Sequence, residues 1–294
     1  MNINHLAIFH AVAEEGSVTR AAERLCISQP AVSKQLRELE KSLGMALFHR
    51  LSKGVRLTEA GELLAGYARR LFDLEAEAMH ALAELRGLDR GLLRVGASTT
   101  IGIYLLPEIF AKFRQQYPGI ELQLEIANTR EIQQRLVENR LDLGLTEGLV
   151  EAFEFQAEVF GRDDIVPIAV PHHPLMRETH LTVERLCREP MVWREAGSGT
   201  RAVVERALAQ KGEMVRPVMS LGSTEAIKRA VAAGVGVALV SRLAIGLELE
   251  TGRLAVLPVA DLKIQRPLHR LKLSGKYEGR AVREFLRLLR QATD

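Results

Sequence analysis

The chain has 294 residues, of which 47% are apolar and 26% charged, a composition that gives an ordinary globular protein a sizeable core and leaves room for two or three domains. Disorder, collagen and low complexity are excluded, and the longest apolar stretch, Val235 to Leu247, is broken by Arg242 and falls short of the roughly 18 residues of a membrane span. The net charge of +3 is unevenly spread: residues 1–57 carry eight Lys/Arg against five Asp/Glu, and residues 58–90 carry four against seven. A basic segment beside an acidic one suggests one surface for a polyanion and another that avoids it.

Three short amphipathic helices open the chain. Leu6, Phe9 and Ala13 share a face in the first, which stops at Gly16. Ser17 caps a second, with Val18, Ala21, Ala22 and Leu25 on one side, and Ser28 caps a third with Pro30 in its first turn. At 100° per residue, Leu36, Leu39 and Leu43 of the third helix fall within about 40° of Val32, while Pro30, Lys34, Arg37 and Lys41 fall about 140–200° away. This gives one helix an aliphatic back and a basic front, with Ser33 on the shoulder. A helix that lies in a major groove needs that pattern: cations for phosphates and hydrogen-bonding side chains for base edges. Gly44 ends it, and Leu47–Arg50 with Val55–Leu57 predicts a hairpin turning at Lys53-Gly54, a wing whose cations reach flanking phosphates. The residues alone also allow a plain three-helix packing unit with a solvated basic face.

The runs Gly16-Ser17-Val18-Thr19-Arg20-Ala21-Ala22-Glu23-Arg24-Leu25, Ser28-Gln29-Pro30-Ala31-Val32-Ser33-Lys34-Gln35-Leu36 and Leu57-Thr58-Glu59-Ala60-Gly61 resemble the winged helix-turn-helix of the LysR-type transcriptional regulators, over about sixty residues in the right order. The resemblance implies double-stranded promoter DNA as a partner. It puts Ser28, Gln29, Pro30, Ser33, Lys34 and Arg37 toward bases or phosphates, and Arg50 and Lys53 in the wing. It also allows a contact with RNA polymerase.

From Leu57 to Arg86 nothing breaks a helix, and Leu64, Ala68, Leu71, Ala78, Leu82 and Leu85 keep a near-heptad spacing that Glu75 interrupts. A helix of about 30 residues spans about 45 Å, too long to bury in a small domain. The resemblance implies that it pairs with its copy in a homodimer or homotetramer, setting two reading heads on a two-fold operator.

Beyond Leu92 strands and helices alternate. Strands are expected at Leu92–Gly96, Ile120–Ile126, Leu141–Thr146, Ile165–Val170, Met191–Arg194, Val215–Leu221, Val235–Val240 and Leu254–Val259. Helices are expected at Ile101–Gln116, Arg130–Asn139, Arg201–Gly212 and Glu225–Ala233. The alternation predicts parallel α/β layers. Hydroxyl residues stand at the strand-to-helix turns, where an open sheet binds its ligands, and helix N-termini without a carboxylate surplus favour an anion. The family resemblance implies two Rossmann-like lobes like those of periplasmic binding proteins, with the ligand between them and crossings near Gly161–Asp163 and Lys263–Pro267. The expected fold is therefore α+β multidomain: a winged helix-turn-helix over 1–58, a linker helix over 59–90 and an effector domain over 91–294. Lobe I comprises 91–162 and 267–294, and lobe II comprises 163–266.

The segments Gly96–Gly102 with Leu106-Pro107, and Arg194–Arg201, resemble the sulfur-assimilation and carbon-fixation branch, although Ala196 stands where that branch often has proline. The cleft residues carried over are Ser98, Thr100, Thr129, Ser198, Thr200 and Thr224. Sulfate, sulfite, a sulfur metabolite or a phosphorylated metabolite would suit them. No cofactor or metal is expected, because no phosphate-binding loop, His-Glu-x-x-His or paired Cys-x-x-Cys is present. Ala196-Gly197-Ser198-Gly199 misses the nucleophile elbow, and His172 and His173 are neighbours on an expected loop. Cys26 and Cys187 match no disulfide or metal spacing, and the N-terminus offers no secretory signal, which fits the cytoplasm. Cys26 is expected to pack at the end of a helix, and Trp193 to pack in the core beside the cleft. Two other functions are compatible with the chain: a constitutive DNA-binding protein with a vestigial cleft, and an enzyme acting on an anionic metabolite.

Overall fold

The computed structural model describes residues 2–51, 54–84, 91–148, 150 and 154–293. The chain divides into two units, Met1–Ala83 and Glu84–Asp294.

The first unit contains α1 (Ile3–Glu15), α2 (Val18–Leu25), α3 (Gln29–Leu43), β1 (Phe48–Arg50), β2 (Val55–Leu57) and most of α4 (Glu59–Glu84). Asn2, Ser17 and Ser28 cap the three short helices with side-chain oxygens that accept from backbone N–H groups. Gly16 and Gly44 end α1 and α3 in the left-handed conformation. Leu6, Phe9, Val12, Val32, Leu36, Leu39 and Leu47 make the core, with the Phe48 ring 5.3 Å from that of Phe9. The antiparallel pair β1–β2 is anchored to the α1–α2 turn, because Val55 N donates to Gly16 O at 3.0 Å. Gly54 must be glycine there: its φ is +84° and a β-carbon would run into the Gly16 carbonyl. Cys26 does not pack as expected. It is exposed and ends α2 at φ 54°, where its backbone N–H closes the helix.

The long helix differs in its use from the sequence expectation. Ala68 is buried in the unit's own core and Leu64 packs against it, so these two positions do not belong to a free seam. The first turns of α4 are needed to cover α1, where Phe72 stacks on His10 at 5.4 Å. The exposed apolar stripe is Leu63, Tyr67, Leu71, Leu74 and Leu82, still at heptad-like intervals. Leu85 lies outside the described residues.

The second unit begins with β3 (Gly91–Ser98), α5 (Thr99–Tyr104), α6 (Leu106–Gln116), β4 (Ile120–Ala127), α7 (Thr129–Val137) and β5 (Leu143–Glu147). It continues through β6 (Phe155–Ala169), α8 (Val183–Cys187), β7 (Val192–Arg194), α9 (Gly199–Ala209), β8 (Met219–Leu221) and α10 (Thr224–Ala232). It closes with β9 (Ala238–Ser241), α11 (Gly246–Glu250), β10 (Ala255–Val256), β11 (Ile264–Leu273) and α12 (Arg280–Thr293). One mixed sheet has the order β10-β6-β11-β5-β3-β4, with β9 also on β6. β3 is parallel to β4 and β5, as the alternation predicts, while every pairing of β6 and β11 is antiparallel, so the sheet as a whole is mixed.

The two largest hydrophobic clusters of this unit mark two lobes. One gathers Val95, Ile101, Phe113, Leu145, Leu268, Phe285 and Leu289, and the other Ile165, Leu186, Trp193, Val204, Leu239 and Ile264. β11 enters both, through Leu268 and Ile264, and pairs with β6 along its length, setting Asp163, Arg162 and Gly161 opposite Arg266, Pro267 and Leu268. Most of β6 and all of β11 escaped the sequence reading. Strands that leave one core for another show no sustained alternation, and Asp163, Pro167, Arg266 and Pro267 interrupt what there is. The single helix expected over Ile101–Gln116 is two, because Pro107 restarts it in the first turn of α6.

Candidate nucleic-acid interface and effector cleft

On α3 the sequence period translates directly into a surface. Val32, Leu36 and Leu39 are buried, while Ser28, Gln29, Pro30, Lys34, Arg37 and Lys41 are exposed and Ser33 is half-buried. The Lys34 side chain is 74% exposed, and its ammonium stands 3.9 Å from Glu38 on the next turn. Arg37 rests its Nε on the Ser33 carbonyl at 3.2 Å, which leaves the ends of the guanidinium pointing outward for other acceptors. Arg56, paired with His49 across the hairpin, adds an exposed cation that the sequence reading did not single out. The side chain of Arg50 and the whole of Lys53 lie outside the described residues.

In the second unit all six expected hydroxyl residues are buried, and three of them, Thr100, Thr200 and Thr224, accept from two buried arginines. Arg266, fully buried on β11, donates to Thr200 Oγ1 at 2.7 Å, Thr100 Oγ1 at 3.3 Å and Asp163 Oδ2 at 2.6 and 2.8 Å. Its Nη1 is 3.2 Å from Glu147 Oε1. Ser98 donates to the other oxygen of Glu147, Ser241 donates to Asp163 at 2.9 Å, and Thr129 donates to the Glu147 carbonyl at 3.3 Å. Buried Arg194, at the end of β7, donates to Thr224 Oγ1 at 3.3 Å and Thr99 Oγ1 at 3.4 Å, and forks onto Glu195 at 2.8 and 2.9 Å. Ser198 caps α9 and lines an opening of about 330 Å³ between the N-termini of α7 and α9, together with Thr129, Arg130, Gly199 and Arg201. Gly199 lets the lobes close here: a β-carbon would collide with the Glu147 carbonyl and the Thr129 hydroxyl.

A second bridge joins the lobes farther along. The Tyr104 hydroxyl on α5 donates to Glu225 on α10, and Glu225 also receives Lys228 Nζ at 2.6 Å. Lys228 is buried and donates in addition to Ala244 O at 2.7 Å and Glu248 at 3.0 Å, with its ammonium 5.2 Å from the Tyr104 ring. Burial pushes the Tyr104 phenol up to about 12, assisted by Glu225. Burial alone would raise the Glu225 carboxyl, but the hydrogen bonds from Lys228 and Tyr104 hold it below its ordinary value. Lys228 itself is raised to about 12, since Glu225 and Glu248 outweigh its burial.

One electrostatic expectation fails. The hydroxyl cluster does have carboxylates beside it, Glu147 and Asp163, and sequence reasoning missed both, as it missed Arg266 and the anchoring role of Arg194. No period marks a buried charge at a strand end. The only sequence signal was position: Asp163 and Arg266 fall within the two expected crossings. Trp193 is buried in the second core, with Arg201 5.7 Å from its ring centre. His173 caps a single turn at Pro174–Arg177 rather than holding a ligand, and no group of metal-ligating side chains occurs among the described residues. Among those residues no helix is long and apolar enough to cross a membrane.

A winged helix-turn-helix followed by a two-lobed α/β domain defines a ligand-responsive transcription regulator, and comparison specifies which kind. Residues 3–62 match the bacterial regulatory helix-turn-helix protein, lysR family, and residues 86–294 match the LysR substrate binding domain, so the chain belongs to the LysR family of transcriptional regulators and is not an enzyme. It is 40% identical over 289 residues to the RuBisCO operon transcriptional regulator of Allochromatium vinosum, covering 97% of this chain and 95% of the relative. The regulatory domain of Synechocystis CcmR, solved in complex with 2-phosphoglycolate, superposes with a TM-score of 0.65 at 32% identity, covering 70% of this chain and 98% of that one. A full-length OxyR variant from Pseudomonas aeruginosa shares the fold over the whole chain, with a TM-score of 0.73 at 22% identity and 94% of that chain covered. The relatives fall on the carbon-fixation side of the expected branch.

Proposed function

We propose that this LysR-type regulator binds a pseudo-palindromic promoter site in the cytoplasm as a homo-oligomer, and that a small phosphorylated anion in the inter-lobe cleft sets its activity. The observation that carries the DNA half is the exposed basic face of α3 behind its Ser28 cap. Ser28, Gln29, Pro30, Ser33, Lys34 and Arg37 meet the major groove, and Arg50 and Lys53 meet the flanking backbone. The apolar stripe Leu63, Tyr67, Leu71, Leu74 and Leu82 covers itself with the same stripe of a second copy.

For the effector, the donors of Ser98, Thr200 and Arg266 already serve the Glu147 carboxylate. An incoming anion therefore sits beside them, at the opening lined by Thr129, Arg130, Ser198 and Arg201, where two helix N-termini converge. Thr100, Thr200 and Thr224 form the wall behind it and couple its arrival to the lobes. The Synechocystis neighbour favours a phosphorylated carbon metabolite over sulfate or sulfite as the occupant. Calorimetric titration of the full chain tests this: 2-phosphoglycolate should bind and shift promoter affinity while sulfate and sulfite do neither. Glu147→Gln, by removing the nearest buried negative charge, should tighten the anion. Promoter footprints insensitive to every anion would leave a constitutive regulator instead.

A further inference from the structure

Away from the hydroxyl cluster, on another side of α9, a cavity of about 710 Å³ opens between the lobes. Lobe I contributes Gly148, Val150, Phe155 and His269, and lobe II contributes Val203, Arg206, Gln210 and Ile264. Its size lies in the range of small-molecule sites, which run from about 300 to 1,000 Å³. Its chemistry is lopsided. The walls are mostly aliphatic, Lys263 and Arg206 stand at the rim, and no described lining residue is a carboxylate. Neither rim cation is held by an ion pair to a described residue, whereas the buried Arg266 beside them is paired with Glu147 and Asp163.

The floor is unusual as well. Thr146 on β5 and His269 on β11 are register partners, so their side chains share one face of the sheet. Thr146 Oγ1 and His269 Nδ1 are both buried and both without a hydrogen-bond partner. Buried polar atoms are nearly always paired in a folded protein, because leaving one unpaired costs about 1–3 kcal/mol. Of the two, His269 lines the cavity, so its Nδ1 is the group kept for an absent partner. Burial also holds the His269 imidazole below its ordinary value, with only partial offset from the Gly148 backbone, so the ring is neutral and able to donate or accept.

We propose that this cavity is a second ligand site, distinct from the effector opening at Thr129 and Ser198, and that it takes a small anion with an apolar body. The apolar part lies on Val159, Val203 and Ile264, the charge meets Lys263 and Arg206, and a polar end reaches His269. Such a ligand touches both lobes and the outer side of Arg266, whose guanidinium organises the cleft, so its binding is felt at the first site.

Benzoate serves as the probe, titrated into the full chain by calorimetry with and without 2-phosphoglycolate, and inorganic phosphate is the anion lacking an apolar body. Benzoate should bind with a Kd on the order of millimolar, as its few atoms allow. Saturating phosphate or 2-phosphoglycolate should not displace it. The exposed pair Arg206→Glu with Lys263→Glu should weaken benzoate by about tenfold or more without altering promoter binding. Val203→Trp, which fills the cavity, should abolish benzoate heat while leaving the 2-phosphoglycolate response in place. No benzoate binding to the parent chain, displacement by phosphate, or binding untouched by both variants would each overturn the proposal.

Discussion

The two units carry their chemistry in opposite ways. The DNA-binding unit keeps an apolar interior and puts every candidate contact of α3 on its surface, where Lys34 and Arg37 meet solvent. The effector unit buries its charges: Arg266, Arg194, Glu147, Asp163 and Lys228 all lie inside, tied to hydroxyls from both lobes. Surface cations can be exchanged for others at small cost to folding, because water solvates them whether or not a partner is present. An interior cluster is different, since each member is solvated only by the others. The first unit can vary its operator without rebuilding its core, whereas the second couples ligand recognition to lobe closure through the same few atoms.

The sharpest way to break this contrast is Arg266→Ala. It leaves Glu147 and Asp163 buried against each other without their cation, and loss of one partner of a buried pair costs about 3–5 kcal/mol. Calorimetry of the full chain should show that loss in the effector-unit transition, with the DNA-binding unit unmoved. Equal stability in variant and parent would mean that the cluster is solvated by something other than Arg266.

Arg37→Ala should do the converse. Folding stability stays within about 0.5 kcal/mol, as for an ordinary surface change. Promoter affinity falls by about 1–3 kcal/mol if Arg37 reads a base, and binding to random DNA falls less. An equal loss on both DNAs, measured by anisotropy, would move Arg37 from base reading to backbone contact.

These two variants also show how much the sequence could say. The α3 face was legible because a helix with one buried side obeys a single period, and Val32, Leu36 and Leu39 declare it within eight residues. The caps at Ser17 and Ser28 were legible for the same local reason, and so were Ser98, Thr100, Thr129, Ser198, Thr200 and Thr224 as hydroxyls at the strand-to-helix turns. The side chains that organise the cleft were not. Arg266 and Asp163 lie 103 residues apart and meet only because β6 and β11 pair across both lobes. Nothing near Glu147 in the chain announces that Ser98 and Arg266 will close on it. The period that revealed α3 served only in part on α4: its first turns pack Leu64 and Ala68 on their own chain, while Leu71 and Leu82 of the expected seam are exposed in the outer stripe.

The smallest expected effect concerns pH, and each unit has one histidine to report it. Burial, foremost, holds His10 below its ordinary value of 6.5, and burial does the same for His269 in the effector unit. Folding therefore favours the neutral rings. That contribution is complete above pH 6.5 and is lost as the pH falls through the lower folded values. His10→Gln should flatten the acid slope of the DNA-binding transition alone, and His269→Gln that of the effector transition alone, in scans between pH 7.5 and about 5. A slope between pH 7.5 and about 5 that is unchanged by either substitution would show that neither histidine carries the acid response.

The claim on which the account turns is that the exposed cations of α3 hold the promoter. Lys34→Glu with Arg37→Glu, in the full chain with its helical content verified by circular dichroism, puts that to measurement by anisotropy on a footprinted promoter fragment. The account predicts release of the fragment at every salt concentration at which the parent binds it. A double variant that stays folded and binds as tightly as the parent would contradict it.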